Sequence, residues 1–321
     1  MKTRLILAIA ISTTLIPAVM RAEEGAGGHY MPGAAASAVD ALPGKTGFAA
    51  FNFFTYYNGT AGPSRSLVYG GRIALGVEAT AYADTIGVVY QSDLSLLGGK
   101  YAAALAIPFM WMEVKAGTEL TGPAGRTIAR GVRDTASDIG DITLYPFMLG
   151  WTALGGDLKY DIRLGIYAPS GGFEAGRLAN TGKNYWTFEP GFSISWLSSK
   201  IGTEVSIFAG FDFNTKNGAT DYQTGTQFHA DATIEQHLPL FGGFVGVGAN
   251  AFYYQQLTGD SGSGATLGSF KGHTAGIGPV VSYVHKVGGK DVAIEVKWLP
   301  EISATNRTKG DFIWAKVGVL F

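Results

Sequence analysis

The residues able to do chemistry are few. Ser261 stands in Thr258-Gly259-Asp260-Ser261-Gly262-Ser263-Gly264, a string that echoes the Gly-Asp-Ser-Gly of serine proteases. A serine becomes a nucleophile only beside a base and an acid that orients it. No second protease motif accompanies this one, and a Gly/Ser loop is the better reading. The five histidines, His29, His229, His237, His273 and His285, show neither HExxH nor facial-triad spacing, so no metal centre is predicted. Cysteine is absent, which excludes disulfides, Cys-based zinc or iron–sulfur sites and a thiol nucleophile. There is no P-loop and no dinucleotide fingerprint, so no cofactor is expected. A formal charge of −1 gives no electrostatic reason to bind nucleic acid. Asn58-Gly59-Thr60 and Asn306-Arg307-Thr308 fit the glycosylation sequon, which matters only on a eukaryotic secretory route. No catalytic residue and no enzymatic activity are predicted.

What remains is charge placed at every second residue. In 157–167, Asp157, Lys159, Asp161 and Arg163 share one face while Tyr160, Ile162, Leu164 and Ile166 share the other. Lys200, Glu204 and Asp212 alternate with Ile201, Val205, Ile207, Phe211 and Phe213. Asp231 and Glu235 alternate with Ala230, Ala232 and Ile234, and Asp291, Glu295 and Lys297 with Val292, Ile294 and Val296. Such faces make either a wet, cation-tolerant pore or a lumen braced by paired charges, and the braced, partly filled lumen is favoured. Arg126, Arg130 and Arg133 could meet lipopolysaccharide phosphates, but Glu119, Asp134 and Asp138 beside them favour a solvated loop.

The elements that position these charges are long strands. From about residue 47 the dominant period is two, over runs of ten or more residues, the length a tilted strand needs to cross a bilayer. Soluble strands are usually about five or six residues. Twelve strands are predicted, at about 47–57, 80–92, 100–115, 138–151, 156–168, 185–197, 200–213, 226–238, 243–257, 271–286, 290–300 and 309–321. Connectors alternate short (93–99, 153–156, 198–200, 239–243, 287–290) and long (for example 116–137, 169–184, 214–225, 258–270), which suits an outer-membrane barrel with both termini in the periplasm. In hydrocarbon only a closed barrel satisfies strand hydrogen bonds. Trp111, Trp186, Trp298 and Trp314, with Tyr56, Tyr57, Tyr185, Tyr253 and Tyr254, fall near outer strand ends, and Trp151 and Trp196 near the others, as two aromatic girdles would. Parity turns Trp314 inward, because Ile313, Ala315, Val317 and Val319 share the lipid face. Phe321 ends the last strand in the manner of barrels read by the assembly machinery.

Residues 1–22 read as a secretory signal peptide, with Lys2 and Arg4 before an apolar run from Leu5 to Val19. Residues 23–46 show no period of two and contain His29, Tyr30, Met31 and Pro32. They form either a plug, entering from the periplasmic side like the hatch of fatty-acid channels, or a loose periplasmic tail. The barrel proper is expected over 47–321.

Several strings together resemble one family: GHYMPG (28–33), DIGDITLYPFMLGW (138–151), YAPSGGF (167–173), NTGKNYWTFEPG (180–191), ATDYQTGTQFHAD (219–231), YQQLTGDSGSGA (254–265) and GDFIWAKVGVLF (310–321). The chain resembles the "meta-pathway of phenol degradation" family of outer-membrane β-barrel transporters over nearly all of its length after the leader. The resemblance implies passage of small hydrophobic or aromatic molecules across the Gram-negative outer membrane, and it brings no catalytic residues with it. Expected partners are outer-membrane lipids, the barrel-assembly machinery and such solutes. The rival readings are a non-conducting structural or ligand-binding barrel, and an outer-membrane lipid-acting enzyme, which would need a Ser–His pair at an outer strand edge.

Overall fold

Long two-faced strands leave unpaired edges unless the sheet closes on itself. The computed structural model describes residues 23–42, 44–62, 65–121 and 127–321, without the side chains of 26 and 118–130. The expected leader, 1–22, and Arg126 lie outside the described residues, as does the side chain of Arg130. The strands are β1 (Gly47–Thr60), β2 (Ser66–Tyr69), β3 (Arg72–Leu96), β4 (Gly99–Thr121), β5 (Thr127–Ile139), β6 (Thr143–Ala153), β7 (Leu158–Tyr167), β8 (Thr187–Leu197), β9 (Thr203–Asn214), β10 (Gln227–Leu240), β11 (Gly243–Gln256), β12 (His273–Val287), β13 (Lys290–Thr305) and β14 (Lys309–Leu320). All pair antiparallel, and β14 pairs with both β13 and β1, so the sheet closes as a barrel of twelve strands.

The two extra strands correct the sequence reading. β2 is a short hairpin partner of the outer part of β3. The segment expected as loop 116–137 instead continues the wall: β4 runs on to Thr121 and returns as β5, paired from Phe109↔Ile139 to Thr121↔Thr127. β5 and β6 are two halves of one interrupted strand, because β6 pairs with the lower part of β4 (Lys100↔Gly150 to Ala106↔Thr143). The interruption, Gly140-Asp141-Ile142, lies opposite Pro108, which has no N–H to give the ladder. Pro108 O accepts from Gly140 N at 2.8 Å instead. Beyond the break, Asp134 on β5 accepts from the backbone N–H groups of Leu178 and Ala179 and from Arg177, docking the loop after β7.

The five short turns lie at one end. Leu97-Gly98, Phe241-Gly242 and Gly288-Gly289 each have positive φ at both residues, the tight hairpin geometry that matches strand twist. Along β10 the burial pattern is inverted relative to a soluble sheet: His229, Asp231, Thr233 and Glu235 are buried, while Ala232, Ile234 and Leu238 are exposed. The outer face carries aromatic clusters at both levels. Tyr56, Tyr82 and Trp111 meet near the long-loop end, and Phe48–Tyr90 and Trp151–Tyr160 near the short-turn end. Of the tyrosines expected in the outer girdle, Tyr56 and Tyr253 face outward. Tyr57, Tyr185 and Tyr254 face the lumen, since parity sends neighbours to opposite sides. An acid breaks the apolar outer face below the aromatic cluster: Asp84, two residues along β3 from Tyr82, accepts from Asn52 Nδ2 at 2.6 Å.

Residues 23–42 and 44–46 run through the lumen. Glu23 lies at the long-loop end, bonded to Gln227 and Tyr254, and Gly44 at the short-turn end, bonded to Gln91. Phe321 is also at the short-turn end, its N–H donated to Phe48 O at 2.9 Å. Glu23 and Phe321 therefore lie at opposite ends of the barrel.

Candidate functional site

The N-terminal segment is held to the wall by charges. Among the described residues its backbone makes no ladder with the barrel, so its N–H and C=O groups need other partners. Asp231 on β10 accepts from Gly33 N at 3.2 Å, from Ala35 N at 3.0 Å and from the Tyr30 hydroxyl. Lys297 on β13 donates to Gly33 O and Ala35 O. Glu204 on β9 accepts from Ala38 N at 2.6 Å. Lys316 on β14 is 2.9 Å from both oxygens of Asp40. Nearer the long-loop end, His29 bridges Asp141 at 2.8 Å and Thr187 at 2.7 Å, and Glu23 meets Arg307 at 3.3 Å. Apolar contacts add to these. Met31 packs on Leu299, Phe312 and Trp314, and Tyr30 stacks on His229 with ring centroids 3.6 Å apart. Pro32 is buried beside them.

The remaining charges brace one another. Arg163 makes two 2.7 Å bonds to Asp161, Lys297 and Lys316 lie 3.1 and 3.3 Å from Glu295, and His237 lies 2.8 Å from Glu204. Asp161, Glu204, Asp212, Asp231, Glu235, Glu295 and Lys297 are buried inside the barrel, with Arg163 and Lys159 beside them. Asp157 and Asp291 line the lumen at its short-turn end. Lys200 departs from the expectation. It is exposed in the turn 198–202, because β9 begins only at Thr203.

The other side of the lumen is different. Inward positions on β1 are Phe51, Phe53, Thr55 and Tyr57; on β3, Ala79, Ala81, Ala83, Thr85 and Val89; on β4, Ala104, Ala106, Pro108, Met110 and Met112. None is charged. The N-terminal segment lies toward the charged strands, and between it and this wall runs a cavity of about 940 Å³. The cavity reaches from Asn180 and Arg307 at the long-loop end to Ser198, Phe244 and Asp291 at the short-turn end. Gly87 leaves room for the Phe51 ring, which stacks on Phe53 at 4.6 Å. The arrangement offers a continuous apolar surface beside a fixed filling that presents Met31, Ala34, Ala35, Ala38, Val39 and Leu42 to the same cavity.

Residues 64–317 match the family described as "Putative MetA-pathway of phenol degradation". The chain belongs to this family. No curated protein matches it. Among solved structures it is similar to the COG4313 outer membrane channel from Pseudomonas putida F1, with a TM-score of 0.62 and 13% identity, covering 91% of this chain and 100% of that one. It is also similar to the β domain of the Bordetella autotransporter BrkA, with a TM-score of 0.45 and 14% identity over 86% of this chain and 100% of that one. The P. putida likeness shows the fold: this member of the phenol-degradation family has the closed β-barrel fold of that outer-membrane channel.

Several residues of the site escaped the sequence reading. Glu189 and Lys316 follow from parity, opposite Phe188 and Val317, and could have been read. Glu23 and Asp40 lie in a segment without periodicity and carry no such signal. The protease-like string is structural. Ser261 pairs with Gln223 through the backbone, and burial pushes the neighbouring Asp260 carboxyl up to about 6 while Tyr222 donates to it at 2.5 Å.

Proposed function

We propose that the protein is a passive outer-membrane channel for small hydrophobic or aromatic solutes, with short turns toward the periplasm and long loops outside. The N-terminal segment is a fixed filling that narrows the lumen to a path along one wall. The observation that carries this reading is the uncharged inner face of β1, β3 and β4 beside a cavity that runs the length of the barrel. Apolar surface binds apolar solutes by releasing water, at roughly 25 cal/mol per Å². A benzene-sized solute gains enough to enter and not enough to be trapped. A polar solute of equal size loses hydration against this wall, where only the hydroxyls of Thr55, Tyr57 and Thr85 offer new partners.

The test uses intact Gram-negative cells, whose outer leaflet resists apolar solutes. Entry of the dye N-phenylnaphthylamine is followed with wild type, Ala83→Trp and Ala104→Trp, with heat-modifiable gel mobility confirming folded barrels. Expression of wild type should speed dye entry, and the tryptophan variants should cut that gain at least fivefold. Equal entry through wild type and both variants, or equally fast passage of a similarly sized sugar in liposome swelling, would overturn the proposal.

A further inference from the structure

His229, Asp212 and Glu189 come from three adjacent strands, β10, β9 and β8, and no sequence spacing links them. All three side chains are 0% exposed. His229 Nε2 lies 3.4 Å from Asp212 Oδ1 and 3.5 Å from Glu189 Oε2. Charge-assisted hydrogen bonds of this type close to about 2.7–2.9 Å. These do not, and both Asp212 oxygens, both His229 ring nitrogens and Glu189 Oε1 have no hydrogen-bond partner among the described residues. Buried polar atoms are nearly always satisfied, so several converging on one point require an explanation.

The distances supply one. A divalent ion bound at about 2.1 Å by nitrogen and oxygen in a tetrahedral array sets neighbouring ligand atoms about 3.4 Å apart. The two separations from Nε2 match that edge. The charge also matches: two carboxylates and a neutral imidazole carry −2, which a divalent cation balances where a buried net charge is otherwise costly. Supporting groups are in place. Tyr167 donates to Glu189 Oε2 at 2.8 Å, and Tyr30 covers the imidazole face. Gly210 leaves room for the ring, since a Cβ there would meet His229 Cε1 at 2.6 Å. We propose that His229, Asp212 and Glu189 form a binding site for a first-row divalent cation, with a donor set suited to zinc.

A second group, Glu204, Glu235 and His237, is the contrast. There the imidazole is bonded to Glu204 at 2.8 Å, and Ser206, Ser282 and Ala38 N satisfy further carboxylate oxygens. Only Glu235 Oε1 lacks a partner among the described residues, whereas His237 Nε2 and the other three carboxylate oxygens are hydrogen-bonded, and His237→Gln serves as the control.

The experiment takes the full detergent-purified barrel, strips it with EDTA, loads it with zinc, removes free ion by gel filtration and counts bound metal by mass spectrometry. Wild type and His237→Gln should retain about one zinc per chain, and His229→Gln and Asp212→Asn at least tenfold less. Wild type holding no more zinc than the His229→Gln variant would overturn the proposal. Should those variants fail to fold, cobalt(II) added to wild type decides. Visible bands of a low-coordinate site that zinc displaces are expected, and their absence rejects the site.

Discussion

Deleting residues 23–40 should open the lumen, and the size of the change follows from barrel geometry. Twelve strands spaced about 4.8 Å apart and tilted about 40° close at a backbone radius of about 12 Å. Inward side chains take roughly 5 Å of that radius, leaving a free cylinder of about 7 Å radius, or on the order of 4,500 Å³ over a 30 Å hydrocarbon core. With the segment in place the cavity has about 940 Å³ of room for the centres of water-sized molecules, against on the order of 3,000 Å³ for the same cylinder narrowed by a water radius of about 1.4 Å. Ohmic conductance scales with cross-section, so single-channel conductance in planar bilayers should rise about threefold. The deletion also frees Asp231 and Glu204 from backbone partners and Lys316 from Asp40. Acids outnumber bases on the inner faces of β7 to β14, so the enlarged pore should prefer cations. Heat-modifiable mobility must confirm that the truncated barrel folds. An unchanged conductance from folded protein would show that the segment does not limit the path, and the account of the lumen would fail.

Three smaller perturbations follow from single contacts. Lys316→Met leaves Glu295 and Asp40 short of a partner in a buried network and should lower unfolding stability by about 3 kcal/mol, read as a fall in the urea midpoint; Lys297 still faces Glu295, which keeps the loss near the low end for a broken buried pair. Replacing Asn52 and Asp84 together by Val and Leu should raise stability by about 1 kcal/mol in lipid vesicles, because an acid on the lipid face costs more than its one hydrogen bond returns; a fall would mean that this face does not meet hydrocarbon. Asp260, its carboxyl raised to about 6 from an ordinary 3.8, holds its proton more tightly in the folded loop than in the open one; local stability should therefore be highest below about pH 4 and fall as pH rises through 6, and hydrogen exchange of 257–272 should show this in wild type and not in Asp260→Asn.

The barrel was legible because alternation reports a two-faced strand whatever the faces touch. β10 shows the clearest case, with polar and apolar residues strictly interleaved. The same test is blind where both faces are apolar. Ala79, Ala81 and Ala83 alternate with Thr80, Tyr82 and Asp84, and Ala102, Ala104 and Ala106 with Ala103, Leu105 and Ile107. There the signal is small against large rather than polar against apolar, so the wall that shapes the cavity gave no luminal candidate. β5 was hidden for another reason. Arg130, Arg133 and Asp134 made 116–137 read as a solvated loop, whereas the pairing of β5 is supplied by the long outer half of β4, with Arg133 bonded to Glu113 across the pair. The His229 cluster is assembled by register among three strands, a relation no local spacing can express.

The position of the path follows from where the charges are. A segment without regular structure can enter a membrane barrel only where side chains satisfy its backbone, since each unpaired buried amide costs on the order of 1–3 kcal/mol. Asp231, Glu204 and Lys297 provide those partners, Lys316 holds the Asp40 carboxylate, and all four lie on β9, β10, β13 and β14. On β1, β3 and β4 the inward residues from Phe51 to Met112 offer the segment little to bond. The filling is thus drawn to one side of the lumen, and open space remains where the wall is apolar. Charge placed on the inner face of β3 should undo this arrangement. Ala81→Asp puts an acceptor opposite the filling, hydrates the wall and should slow entry of an aromatic dye while leaving the fold intact. Faster dye entry through that variant would show that hydration of the path, and not its apolar surface, governs passage.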